Sequence, residues 1–222
     1  MTLADHWHLF WGVLIKQGLP VTLELTLGAF VLACVIGLVL GVIRGLRIPV
    51  VSQVIGVYVQ ICRGVPDMLV LLFLYAVMTR GNTYSIAVLG ISLIQGAYIS
   101  EIIKGGIWAL DKGQIEAAKA LALPWYTTLF RIIIPQVLIV TLPSLVGQIV
   151  LLIKSTSVAS AIGCMEMTKR AIIAMSGYSN ALIVFGYVLI IFFIICHALT
   201  MAGKKLETHF VQKVMGENYE RA

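Results

Sequence analysis

"GQIEAAKALALPWYTTLFRIIIPQ", Gly113 to Gln136, is small, charged and helix-forming, yet long apolar runs flank it on both sides. Asp111, followed three residues later by Gln114, reads as a capping box, and "QIEAAKALAL" then has high helix propensity. Pro124 suits the first turn of a second helix running through Trp125 to Arg131. The expected product is a short helical pair at a membrane surface. Ala118 and Ala122 would share a face open to another protein, with Glu116 and Lys119 beside it. An ordinary hairpin between spans meets the same spacing, so the pattern alone leaves docking open.

The surroundings of this stretch are those of a bilayer protein. Of 222 residues, 60% are hydrophobic and 12% charged, and the mean hydropathy of +1.00 lies well beyond the range of soluble domains. Runs long enough to cross about 30 Å of hydrocarbon lie at Leu19 to Ile43, Val50 to Met78, Ser85 to Ile103, Ile132 to Ile153 and Ala181 to Met201. Five spans form one all-α membrane domain, 1–222, with no linker dividing it. No basic region followed by a short apolar core marks a secretory signal, so the N-terminus is expected to be retained.

The net charge of +6 is read here as loop charge facing the cytoplasm, not as a nucleic-acid surface. With the N-terminus outside, the inner segments hold Arg44, Arg47, Lys104, Lys112, Lys119, Arg131, Lys204, Lys205, Lys213 and Arg221. The outer ones hold Lys16, Arg80, Lys154, Lys169 and Arg170. That bias predicts N-out and C-in, and it places the quoted stretch in the cytoplasm, between spans 3 and 4. Four scattered cysteines, Cys34, Cys62, Cys164 and Cys196, suggest neither a zinc site nor a disulfide framework. Asp5 to Ile15, with Trp7, Phe10, Trp11 and Leu14 at helical spacing, reads as an interfacial anchor. Ala33, Gly37, Gly41 and Gly45 recur every four residues, which brings helix backbones close.

Two spans are interrupted. "ICRGVPDML" carries Gly64 and Pro66 between Arg63 and Asp67, and the fourth span carries Pro135, Pro143, Gly147 and Gln148. Broken helices with polar residues at membrane depth line a cavity or pack on protein, because lipid cannot satisfy the freed backbone groups. The ionisable groups Glu24, Arg63, Asp67 and Glu101 are therefore candidates for a substrate path. Arg63 lies 16 residues before Thr79 and Glu101 lies 17 after Tyr84, so they reach similar depth and are expected to pair, with Asp67 competing at i+4. Lys154, Ser155, Thr156 and Ser157 are expected to end the fourth span, their broken helix offering N–H groups and an ammonium to a carboxylate. A structural ion pair and a hydroxyl-capped helix end fit the same residues. Glu166, Lys169 and Arg170 follow on the outer side.

Glu116, Ala117, Ala118, then Ala122, Ile132, Ile134 and Pro135 resemble the signature loop of permease subunits in ATP-binding-cassette importers. That pattern is Glu-Ala-Ala, three residues, Gly, nine residues, then Ile-x-Leu-Pro; Ala122 and Ile134 depart from it. Should position 122 require a positive φ, Ala would cost on the order of 1 kcal/mol there, which suggests a differently built turn. "VTLELTLGAF" at Val21, "RGVPDMLVLLFLY" at Arg63, "GAYISEIIKGGIWALDKGQIEAA" at Gly96 and "LIKSTSVASAIGCMEMTKRA" at Leu152 are similar, in order, to the blocks of polar amino acid permeases. "RGVPD" resembles the histidine, arginine and opine branch.

The resemblance implies a type I importer permease fold in a bacterial inner membrane. Its implied partners are a second permease subunit, identical or paralogous, two ATPases that bind ATP and Mg²⁺, and a periplasmic or tethered substrate-binding protein. It further implies that Gly113, Glu116, Ala117, Ala118, Ala122 and Pro135 belong to an ATPase-coupling segment. No cofactor is expected in this chain, which contains no G-x-x-x-x-G-K-[ST] loop, and no covalent chemistry is expected either. The acidic candidates are consistent with a basic amino acid substrate. A secondary transporter driven by protons or Na⁺, and a passive channel or scaffold, are the alternatives; no inverted repeat supports the first, and the capped cytoplasmic helix is superfluous for the second.

Overall fold

A computed structural model of the chain describes residues 3–78, 80–177 and 180–219. Thr79, the reference point for the depth of Arg63, and Arg221 lie outside the described residues. The described chain is helical throughout: α1 (Asp5–Gly45), α2 (Val51–Gly64), α3 (Asp67–Val77), α4 (Thr83–Ala109), α5 (Lys112–Ala120), α6 (Trp125–Ile162), α7 (Met167–Ala174) and α8 (Ala181–Tyr219). Four of these, α1, α4, α6 and α8, are long and apolar enough to cross a membrane. The pair α2 and α3, which meet at 110°, makes a fifth candidate span when counted as one broken helix. Pro66 sets this elbow: it denies Val65 the helical region, and Val65 is extended at φ −101°, ψ 138°.

The α1–α4 contact organises the bundle. A Cβ on Gly41 would lie 2.7 Å from Ile103 Cβ and 2.8 Å from the Ser100 carbonyl oxygen, and one on Gly45 would lie 2.5 Å from Ile107 Cδ1. From the other side, a Cβ on Gly96 would lie 2.8 Å from Ile36 Cγ2. The four-residue stripe therefore has a defined partner, α4, whose Ile99, Ile103 and Ile107 fill the space that the glycines leave. A second cluster joins Leu9 and Leu14 of α1 to Met167 and Ala171 of α7 and to Val184, Val188 and Ile191 of α8.

The structure corrects the expected interfacial anchor. Residues 5–15 are continuous with the first span, and through His8–Gly18 the helix is π-wound, Leu19 donating to the Leu14 carbonyl. Leu9 and Leu14, five apart, are buried by that wider turn, while Trp7 and Trp11 stack outside at 5.9 Å. A second π-wound stretch, Thr128–Ile133, opens α6. Each stretch ends just before a proline, Pro20 or Pro135. Proline lacks an N–H and clashes with the carbonyl four residues back, and a wider turn upstream relieves both demands.

The helical pair is likewise corrected. Of the expected pair, α5 alone is a separate short helix; Trp125 to Arg131 is the beginning of α6. At about 1.5 Å per residue, its 38 residues reach about 57 Å, so α6 is longer than the roughly 30 Å of hydrocarbon it would cross. Asp111 caps α5 through Gly113 N–H at 2.9 Å, but Gln114 does not complete a capping box: its carbonyl oxygen accepts from Gln136 Nε2 at 2.6 Å. Ala118 is buried at 2% exposure, whereas Ala122 lies beyond the helix and is exposed. The two do not share an open face.

Candidate functional site

Between α5 and α6 the chain reverses at Ala122, whose φ is +51°. The turn keeps a left-handed residue and places an alanine there; it is not rebuilt to avoid one. Leu123 N–H then donates to the Ala118 carbonyl at 3.1 Å, closing the end of α5. This closure turns Ala118 inward, so the exposed side of α5 is carried by Gln114, Glu116, Ala117 and Lys119. Leu121, Trp125, Tyr126 and Phe130 are exposed beside it. Ile115 packs against the main core and Pro135 is exposed at the start of the regular part of α6.

A cleft of about 360 Å³ opens where the α2–α3 elbow meets α4 and α6, lined by Asp67, Gln95, Tyr98, Gln148, Lys154 and Ser155 among others. A hydrogen-bond chain follows its wall. Gln148 Nε2 donates to Gln95 Oε1, Gln95 Nε2 donates to Ser155 Oγ at 3.0 Å, and Ser155 Oγ lies 3.3 Å from Asp67 Oδ2 and 3.2 Å from the Leu151 carbonyl oxygen. Gln95 and Gln148 are 3% and 6% exposed. At that depth each amide would be costly alone, and each satisfies the other.

The ionisable candidates divide into two groups. Asp67, Lys154 and Ser155 meet in the cleft. Arg63 and Glu101 do pair, at 3.7 Å, but Glu101 has nearer partners in Arg44, at 2.6 Å, and Lys104. Asp67 does not compete for Arg63, because the Pro66 elbow removes the i,i+4 relation on which that competition depended. The Arg63 guanidinium lies instead 5.4 Å from the Tyr98 ring. Glu24 is exposed on α1, outside the cleft lining.

Lys154 to Ser157 do not end the helix. It tightens to 3₁₀ winding through Thr156–Ile162 and stops at Gly163, φ +85°. Thr156 Oγ1 and Ser157 Oγ donate to carbonyls three residues back, at 2.7 and 2.8 Å, so these hydroxyls are spent locally and no fan of free N–H groups forms. Sequence reasoning passed over Gln95 and Tyr98, and it counted Arg44 and Lys104 only as loop charge. An amide inside "SLIQGAY" was the available signal for Gln95.

Residues 35–206 match the family described as binding-protein-dependent transport system inner membrane component. The chain belongs to this family.

The permease is 33% identical over 198 residues to the probable glutamine ABC transporter permease protein GlnP of Bacillus subtilis (strain 168), covering 86% of this chain and 91% of that one. It is 32% identical over 203 residues to the L-cystine transport system permease protein TcyB of the same organism, covering 89% and 86%. Among solved structures it superposes on an amino acid ABC transporter with histidines at a TM-score of 0.80 and 25% identity, covering 94% of this chain and 100% of that one. The inward-facing MetNI methionine ABC transporter shares the fold at a TM-score of 0.77 and 18% identity, covering 95% and 99%. The permease is thus a non-catalytic, multi-pass inner-membrane component with the type I importer permease fold. It works with separate ATPase subunits and a substrate-binding protein. Family membership displaces the ion-driven and channel alternatives.

Proposed function

We propose that this permease carries polar amino acids inward, with basic side chains preferred, through the cleft at the α2–α3 elbow. The observation that supports this reading best is the pairing within one cleft of a carboxylate, Asp67, with an ammonium, Lys154, across the Gln95–Gln148 amides. An amino acid presents both charges, and the amides and the Ser155 hydroxyl match its polar side chain. Asp67 is the acidic member of the lining, and it takes either the α-ammonium or a cationic side chain.

Coupling follows from connectivity. α5 is joined at one end to α4 and at the other to α6, and the Gln114–Gln136 hydrogen bond ties it to α6 a second time. Those two helices carry Gln95, Tyr98, Gln148, Lys154 and Ser155. An ATPase that grips the exposed Glu116 side of α5, in a groove that also covers Leu121 and Trp125, therefore moves both walls of the cleft. The full assembly pairs two permease subunits with two ATPases, N-terminus outside and C-terminus in the cytoplasm.

The test is uptake into proteoliposomes containing the whole complex. Arginine, lysine and histidine uptake requires ATP with ion gradients held constant, and Asp67→Asn lowers it more than glutamine uptake. Equal loss for basic and neutral substrates removes the basic preference. ATP-independent uptake removes the importer reading altogether.

A further inference from the structure

The turn between α1 and α2 gathers cations that the cleft does not use. Arg44 and Lys104 both donate to Glu101, and Arg63 stands 3.7 Å from the same carboxylate. The Arg47 guanidinium lies 5.0 Å from the Trp108 ring centroid and the Lys104 ammonium 4.6 Å from it. The indole N–H is itself fixed to the Gly45 carbonyl at 3.1 Å. Four cations against one carboxylate leave three positive charges in excess. Such an excess at a membrane surface calls for an anion.

The same turn is apolar where it is not basic. Leu46, Ile48, Val50 and Val51 are exposed around Arg47. Arg47 and Val50 both hold positive φ, +55° and +63°, a region that a β-branched valine adopts rarely and only under constraint. The backbone is thus held in a shape that presents a guanidinium beside exposed aliphatic side chains, at the end of a span and next to an indole.

We propose that this turn binds the headgroup of an anionic phospholipid. Arg47 and Lys104 take the phosphate, Trp108 sits at headgroup level, and the acyl chains lie along Ile48, Val50 and Val51. A soluble anion would match the cations but leave those aliphatic side chains uncovered; a lipid satisfies both. The proposal requires only that Gly45 and Trp108 lie at a membrane surface, so it stands apart from the substrate and orientation readings.

The test uses the assembled complex in detergent, exposed to dioleoyl phosphatidylglycerol or dioleoyl phosphatidylcholine, with retained lipid counted by native mass spectrometry. The wild type retains phosphatidylglycerol in preference. Arg47→Gln weakens that retention about fivefold, the worth of one cation near an anionic surface, and Arg47→Lys restores most of it. Lys205→Gln, on exposed α8, changes nothing. If Arg47→Gln proves unstable, Trp108→Leu reads the same loss. Equal retention of the two lipids, full retention by Arg47→Gln, an equal loss in Lys205→Gln, or displacement by equimolar inorganic phosphate would each overturn the proposal.

Discussion

Gly41 and Gly45 contact the same helix, one turn apart, yet they are expected to respond differently to one added methyl group. In Gly41→Ala the new Cβ would lie 2.7 Å from Ile103 Cβ, 2.8 Å from the Ser100 carbonyl oxygen and 2.9 Å from Ile103 Cγ2. Carbon–carbon contacts are comfortable at roughly 3.5–4.0 Å, and two of these obstacles are backbone or Cβ atoms that no rotamer moves. The helices must separate, at a cost of about 1–3 kcal/mol.

In Gly45→Ala the obstacle at 2.5 Å is Ile107 Cδ1, the tip of a side chain, with Cβ and Cγ1 at 3.0 and 3.2 Å. Ile107→Val removes Cδ1 and should relieve most of the penalty. Ile103→Val removes none of the three atoms nearest the new Cβ of Gly41→Ala. Two double-mutant cycles, read as SDS-induced unfolding of the chain in dodecyl maltoside, separate the cases. The Gly45/Ile107 cycle should show favourable coupling above ~0.5 kcal/mol, and the Gly41/Ile103 cycle a value near zero. Equal coupling in both, or a Gly41→Ala variant as stable as the wild type, would refute the packing argument.

Further predictions concern the turn, the amide chain and a buried carboxyl group. Ala122→Gly relieves a left-handed alanine and should stabilise the chain by about 0.5–1 kcal/mol after glycine's larger unfolded-state entropy is counted, measured in the same unfolding assay. Gln148→Leu strands the Gln95 carbonyl oxygen and should cost ~1–3 kcal/mol, with a loss of substrate uptake greater than the fall in stability explains. Glu166 is fully buried; burial outweighs the N–H groups of Thr168 and Lys169 and pushes its carboxyl from 4.5 up to about 7. The native state therefore holds this proton more tightly than the unfolded chain. The stability this group contributes is fully present below about pH 4.5 and is lost as pH rises through about 7, by up to ~3 kcal/mol. Unfolding midpoints across that range should slope downward in the wild type and flatten in Glu166→Gln.

What the sequence made legible was whatever depends on composition and local backbone chemistry. The apolar runs marked α1, α4, α6 and α8, Pro66 marked the elbow, and the glycine stripe marked a close helix contact. The missed features are non-local. The partner of Glu101 was sought by depth, which found Arg63, but Arg44 reaches it from the end of α1 through a contact that glycine packing creates. The π-wound entries to α1 and α6 carry no periodic signal of their own; the nearby Pro20 and Pro135 were the only trace. Ala118 looked available because helical spacing does not say which face of α5 the bundle covers. The amide chain in the cleft depends on three separate elements, α3, α4 and α6, meeting, and one apolar-flanked glutamine cannot announce that.

The claim that α5 is the part by which a separate ATPase moves the membrane helices is tested most directly by copurification. ATPase recovered per permease is measured for the wild type and for Glu116→Lys, alongside ATP-driven uptake and the unfolding midpoint of the permease. The account predicts that Glu116→Lys loses the ATPase and the uptake while the midpoint stays unchanged, since Glu116 is exposed. A full complement of ATPase with normal ATP-driven uptake would contradict it.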